Sequence, residues 1–190
     1  MIPVGYMAKH ICKRPDWLKA PNIVDIFSVS ACVSVFFLND YIPLWKHNGY
    51  WFFDSPEIIQ TIARENGIDL QKIKLFYYEE YELEFTGETW QSFSPEPSIP
   101  VNIAPPNQKK LEGFDVVTFS VGRSPGCSPL SCNGLAEELL TNSNCLLETF
   151  EEAESNLSAG QFVKCEDGPY RIMAVYSVDW RSGSSKRVSF

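Results

Sequence analysis

Histidine is scarce in this sequence: His10 and His47 are the only two in 190 residues. The shortage narrows the chemistry, because imidazole is the usual general base and a common zinc ligand. A nucleophilic cysteine would have to recruit one of these two. Glycine-rich phosphate loops are also missing. Gly122-Arg-Ser-Pro-Gly126 matches neither the dinucleotide fingerprint nor the P-loop, so nucleotide binding through those motifs has no support. The longest uncharged apolar run, Ile26 to Leu38, is about half to two-thirds of a membrane span and is broken by serines. The first ten residues lack the charged-then-apolar order of a secretory leader. We therefore expect a soluble, cytoplasmic protein, not bound to a membrane, whose six cysteines stay reduced.

Excess positive charge is another absence. The net charge is −8, while Lys9, Lys13, Arg14 and Lys19 near one end and Arg181, Lys186 and Arg187 near the other gather cations at the two termini. The body between is more acidic than the whole. Nucleic-acid affinity comes mainly from cationic contacts that release counterions, so a nucleic-acid partner is not expected. A basic protein partner would be steered in by the same field, although solubility alone accounts for the charge.

What is present is an aromatic-rich globular composition: 44% hydrophobic, 14% aromatic and 21% charged. Strands are expected over 3–12 and 22–35, and a short buried one at Trp51-Phe52-Phe53. Asp40 would cap a helix over 41–48 that tolerates Pro43 in its first turn, with His47 in its last. A second helix has Ser55 as N-cap and Pro56 at its first position. Ile58, Ile59, Ile62 and Ala63 form its apolar face, and Gly67 closes it. In 75–93, Tyr81, Leu83 and Phe85 alternate with Glu80, Glu82 and Glu84, and Thr86-Gly87 supplies a hairpin turn. That alternation puts the glutamates in solvent. Five prolines between Ser94 and Asn107 make an extended surface connection. Gly113 to Val121 reads as a central strand, apolar on both faces. Asn133 would cap a helix over 134–140, Thr149 and Glu152 form a capping box for another, and Tyr170 to Val178 is the last strand. The order is that of a single α+β domain over 1–180, with a mixed or mainly antiparallel sheet of six to seven strands, three to four short helices, and a disordered tail 181–190.

The most constrained stretch is Ser-Pro-Gly-Cys127-Ser-Pro-Leu-Ser-Cys132-Asn133-Gly, between a strand and a helix. With the Gly113–Val121 strand and the helix start Thr149-Phe-Glu-Glu-Ala, it resembles a set of small bacterial proteins of unassigned function. The resemblance spans most of 1–178 and implies no activity.

Cys132, just ahead of a helix capped by Asn133, would have a lowered pKa. It is the candidate nucleophile, with Cys127 beside it and His10 or His47 as base. The plainer alternative is a small apolar residue packed under the loop. Cys127 and Cys132, with Cys145 and then Cys165 or a histidine, are loosely spaced for structural zinc; the spacing assigns no metal, and no cofactor is expected. Glu80, Glu82 and Glu84 with Trp45 and Trp51 are candidate binding residues, although a solvated strand face and a core explain them without that role. The expected function is a non-catalytic protein-binding module of the immunity or antagonist kind. The alternative is a cysteine-dependent enzyme centred on Cys132.

Overall fold

The computed structural model describes residues 1–38, 44–120 and 124–180. Seven strands form in chain order: β1 (Ile2–His10), β2 (Cys12–Lys13), β3 (Asp25–Ile26), β4 (Ile73–Phe85), β5 (Trp90–Ser92), β6 (Lys110–Thr118) and β7 (Tyr170–Val178). Five of them build one antiparallel sheet, in the order β1-β4-β7-β6 with β5 paired to the far end of β4; β2 and β3 make a separate short ladder. The α+β class and the antiparallel sheet are as expected, with the strands divided five and two rather than sharing one sheet. Among the described residues no helix is long and apolar enough to cross a membrane.

Neighbouring residues on a strand point to opposite faces, and here both faces are covered. Val117 and Met173 belong to one apolar cluster, with Tyr6, Phe76 and Phe53; Val116 and Ile172 belong to another, with Leu130, Leu147 and Leu157. Helix α1 (Pro56–Glu65) turns Ile59, Ile62 and Ala63 into the first cluster. Helix α3 (Phe150–Ser158) turns Ala153 and Leu157 into the second, and its Thr149–Glu152 capping box is formed. Ser55 precedes α1 as expected but makes no side-chain capping bond.

Three expectations need correction. The 22–35 strand is reduced to Asp25–Ile26, because the chain beyond leaves the ladder to give its carbonyls to a buried lysine. The Gly113–Val121 strand is shifted to Lys110–Thr118 and lies at the end of the sheet. Leu147 covers that edge, with Phe114 and Leu147 exchanging backbone hydrogen bonds of 2.8 and 2.9 Å, and the buried residues of the strand include Asp115 and Glu112 as well as apolar ones. Of the helix expected over 41–48, residues 41–43 and the cap Asp40 lie outside the described residues, and 45–48, including His47, are not helical. The tail 181–190 also lies outside them.

Candidate functional site

Lys9 organises the site. It sits on β1 with no exposed surface, and its ammonium donates to three consecutive carbonyls, those of Ser28 (2.5 Å), Val29 (2.9 Å) and Ser30 (2.6 Å). All three of its protons are used, which is how a buried cation is tolerated. Burial still pushes it down to about 7, against the opposing pull of Asp115 first, then of Cys132, Cys12 and Cys32. Asp115, on β6, is equally buried. Its Oδ2 accepts from the Val29 amide at 2.7 Å and the Ser128 hydroxyl at 2.6 Å. Burial raises this carboxyl to about 6, more than those hydrogen bonds lower it. The Ser28–Ser30 segment is thus held by β1 through its three carbonyls and by β6 through the Val29 amide, across two intervening strands.

That pinning delivers Cys32. The cysteine loop is held by the last residue of β6: Thr118 N donates to the Cys127 carbonyl at 2.8 Å, and Cys127 N to Thr118 Oγ1 at 2.8 Å. Gly126 packs so closely that an added Cβ would stand 2.8 Å from Thr118 Oγ1. The loop then enters a single helical turn, α2 (Pro129–Cys132), after Ser128. Ser128 Oγ also receives the Ser30 amide at 3.1 Å, and Ser30 Oγ lies 3.4 Å from Cys132 Sγ. As a result the sulfurs of Cys32, Cys127 and Cys132 all lie within 4.8 Å of one another.

The three thiols differ. Cys127 is buried, Cys132 half-buried and Cys32 exposed. Hydrogen bonds from Cys127 first, then Cys132, hold the Cys32 thiol well below its ordinary range, and the Lys9 charge adds to this. The same bonds, Cys132 before Cys32, push Cys127 up. Cys127 also donates weakly to Asn133 Oδ1 at 3.8 Å.

Several expectations change here. Cys127 and Cys132 do come together, but the third sulfur is Cys32 rather than Cys145. Cys145 is fully buried in the core among Leu130, Leu147 and Ile172, and Cys165 packs at the edge of the same cluster. Asn133 ends a helical turn instead of starting a helix, and only a 3₁₀ turn, Leu135–Glu137, follows. Cys132 is therefore at the C-terminal end of that turn, so the dipole argument for its activation has the wrong sign. Its thiol is raised, because the bond to Cys32 and burial outweigh the lowering effect of Cys127.

The histidines are elsewhere. His10 is exposed at the end of β1, and His47 stacks on Trp51 with ring centroids 3.8 Å apart. Among the described residues neither imidazole bonds a cysteine. Trp45 meets His47 and Trp51 edge-on at 5.9 and 6.0 Å, forming a half-buried aromatic cluster apart from the thiols.

The expected acidic face is mostly turned inward. Glu80 and Glu84 are buried and bind Arg171 at 3.3 and 3.0 Å, and only Glu82 is exposed. Because β4 is an inner strand, its alternation separates two covered faces. The β4–β7 register shift between Glu80 and Glu84 brings both carboxylates to one guanidinium, itself held between Phe93 and Phe119 at 3.7 and 3.9 Å.

Cys32 is a small residue in the apolar run Ile26 to Leu38. Its available signal was the serines at 28, 30 and 34, too polar for a strand buried on both faces. Lys9 carried the other signal, as a charge inside an otherwise apolar strand. No family model, curated protein or solved structure matches this chain.

Proposed function

We propose that this protein binds one thiophilic metal ion through the sulfurs of Cys32, Cys127 and Cys132. The observation that carries the reading is the convergence of three sulfurs, within 4.8 Å of one another, from two segments about a hundred residues apart. Thiolates around a d10 ion at about 2.3 Å stand about 4 Å from each other, so closing onto an ion takes only a small contraction. Soft sulfur donors favour zinc, copper(I) and their heavier congeners over hard cations. Ser30 and Ser128 orient the donors, and the Lys9 ammonium offsets part of the charge of a thiolate set, as outer-shell partners do in metal sites.

The cysteine-enzyme alternative centred on Cys132 is weakened, since among the described residues neither His10 nor His47 bonds a cysteine to serve as its base. The protein-binding reading loses two of its three surface carboxylates with Glu80 and Glu84, which weakens the case for a basic partner.

The test is metal titration of the anaerobic, fully reduced chain with zinc, cadmium and copper(I) against competing chelators. The expected result is one ion per chain, with a sulfur-to-metal charge-transfer band for cadmium and copper(I). The band disappears in Cys127→Ser and Cys132→Ser and persists in Cys165→Ser. Binding that survives the Cys127→Ser/Cys132→Ser double variant, or no binding by wild type, rejects the proposal.

A further inference from the structure

The trio is asymmetric towards solvent, and that asymmetry assigns a second property to the same residues. Cys32 is the one exposed cysteine, whereas Cys127 is buried and Cys132 half-buried behind it. Cys12 and Cys165 are half-buried and belong to no such cluster among the described residues, and Cys145 is sealed in the core. An oxidant arriving from solvent meets Cys32 first, and Cys32 alone combines access with two neighbouring sulfurs that can resolve it.

We propose that Cys32 is the oxidant-facing sulfur of a thiol switch: a hydroperoxide oxidises it, and Cys127 or Cys132 then closes a disulfide that joins the two loops. In the first step the Cys32 sulfur attacks the terminal peroxide oxygen and the O–O bond breaks. The alkoxide or hydroxide leaves and takes up a proton, giving Cys32–SOH. In the second, the neighbouring thiol attacks the Cys32 sulfur, the S–O bond breaks, and water leaves with the thiol proton. The two electrons lost by the sulfur pair are those gained by the peroxide. The sulfurs must close from within 4.8 Å to about 2.05 Å. Resting on the metal reading above, one consequence follows: the bridge consumes two of three ligands, so oxidation expels the ion.

The experiment uses the full chain in two states. Metal-free reduced protein is treated with one equivalent of hydrogen peroxide, digested without reductant and mapped by mass spectrometry. The expected product is one bridge that contains Cys32, to Cys127 or Cys132, reversed by dithiothreitol. In Cys32→Ser, which alters an exposed side chain, bridge formation at matched peroxide falls at least tenfold. A Cys127–Cys132 bridge as the main product, or first trapping of sulfenic acid at Cys12 or Cys165, overturns the switch. In the second state the cadmium-loaded chain receives peroxide, and free metal is read with a chromogenic chelator. Release of one ion per bridge is expected, and retention of the ion by the bridged chain overturns the coupling. If the reduced chain binds no metal while the Cys32 bridge forms, the metal reading fails and the switch stands. If metal binds and the bridge omits Cys32, the reverse holds.

Discussion

Ser128 donates its hydroxyl to Asp115 over 2.6 Å and receives the Ser30 amide at 3.1 Å on the same oxygen. One side chain thus ties β6, the Ser28–Ser30 segment and the cysteine loop together. Ser128→Ala removes both bonds and leaves a buried amide without its partner. We expect a loss of about 1–3 kcal/mol in urea unfolding, with metal affinity at the trio reduced about tenfold or more. Unchanged affinity in the folded variant would show that the thiols hold their positions unaided.

Lys9→Met keeps the length of the side chain and deletes the ammonium. Three carbonyls then lose their donor and Asp115 loses its nearby cation. We expect destabilisation of about 3 kcal/mol or more, read from the shift of the unfolding midpoint. A variant as stable as wild type would mean that the three carbonyls find other donors at no cost.

Glu80 gives a pH signature. Burial raises its carboxyl from 4.5 to about 7, more than Arg171 lowers it. Between those values the folded chain keeps a proton that the unfolded chain has released, so this group's contribution to stability falls as pH rises. Glu80→Gln removes that decline. The stability of the variant relative to wild type should therefore climb by about 3 kcal/mol from pH 4.5 to 7. Parallel stability curves for the two proteins would refute it.

Two glycines mark where strands and covering segments touch. Gly5 has φ of 129° with Phe53 O 2.5 Å from an added Cβ; Gly113 has φ of 140° with Leu147 O at 2.7 Å. Each lies at a register shift of its strand, and each would-be Cβ points at backbone that cannot move without breaking a bridge. Gly5→Ala and Gly113→Ala should each cost more than about 2 kcal/mol. Gly87→Ala, with positive φ but open space around it, should cost about 1 kcal/mol. Equal losses at all three, measured by thermal melting, would show that backbone conformation rather than contact sets the penalty.

Local signals were legible in the sequence wherever a few neighbouring residues decide the outcome. Ser55-Pro56, the Thr149–Glu152 box, the Thr86-Gly87 turn and the run Tyr170–Val178 each specify their own backbone, and each element formed there. Signals that depend on distant chain were misread. The alternation in 80–85 was clear, but whether the glutamate face met water or Arg171 depended on β7, some ninety residues away. The segment 22–35 resembled a strand because nothing local announces that Lys9 will claim three of its carbonyls. The site itself was half legible: backbone constraint marked Cys127 and Cys132, while Cys32 is placed by the Lys9 and Asp115 contacts.

The span between the sulfurs has a mechanical meaning. The chain from Cys32 to Cys132 includes α1, β4, β5 and β6, so a metal or disulfide at the trio converts half the protein into a covalently or coordinately closed ring. A ring of about 100 residues removes about 4–5 kcal/mol of conformational freedom from the unfolded chain. A protease cut anywhere inside it would leave two fragments still tethered through sulfur. The same cut in the open, reduced state would leave them joined by packing alone.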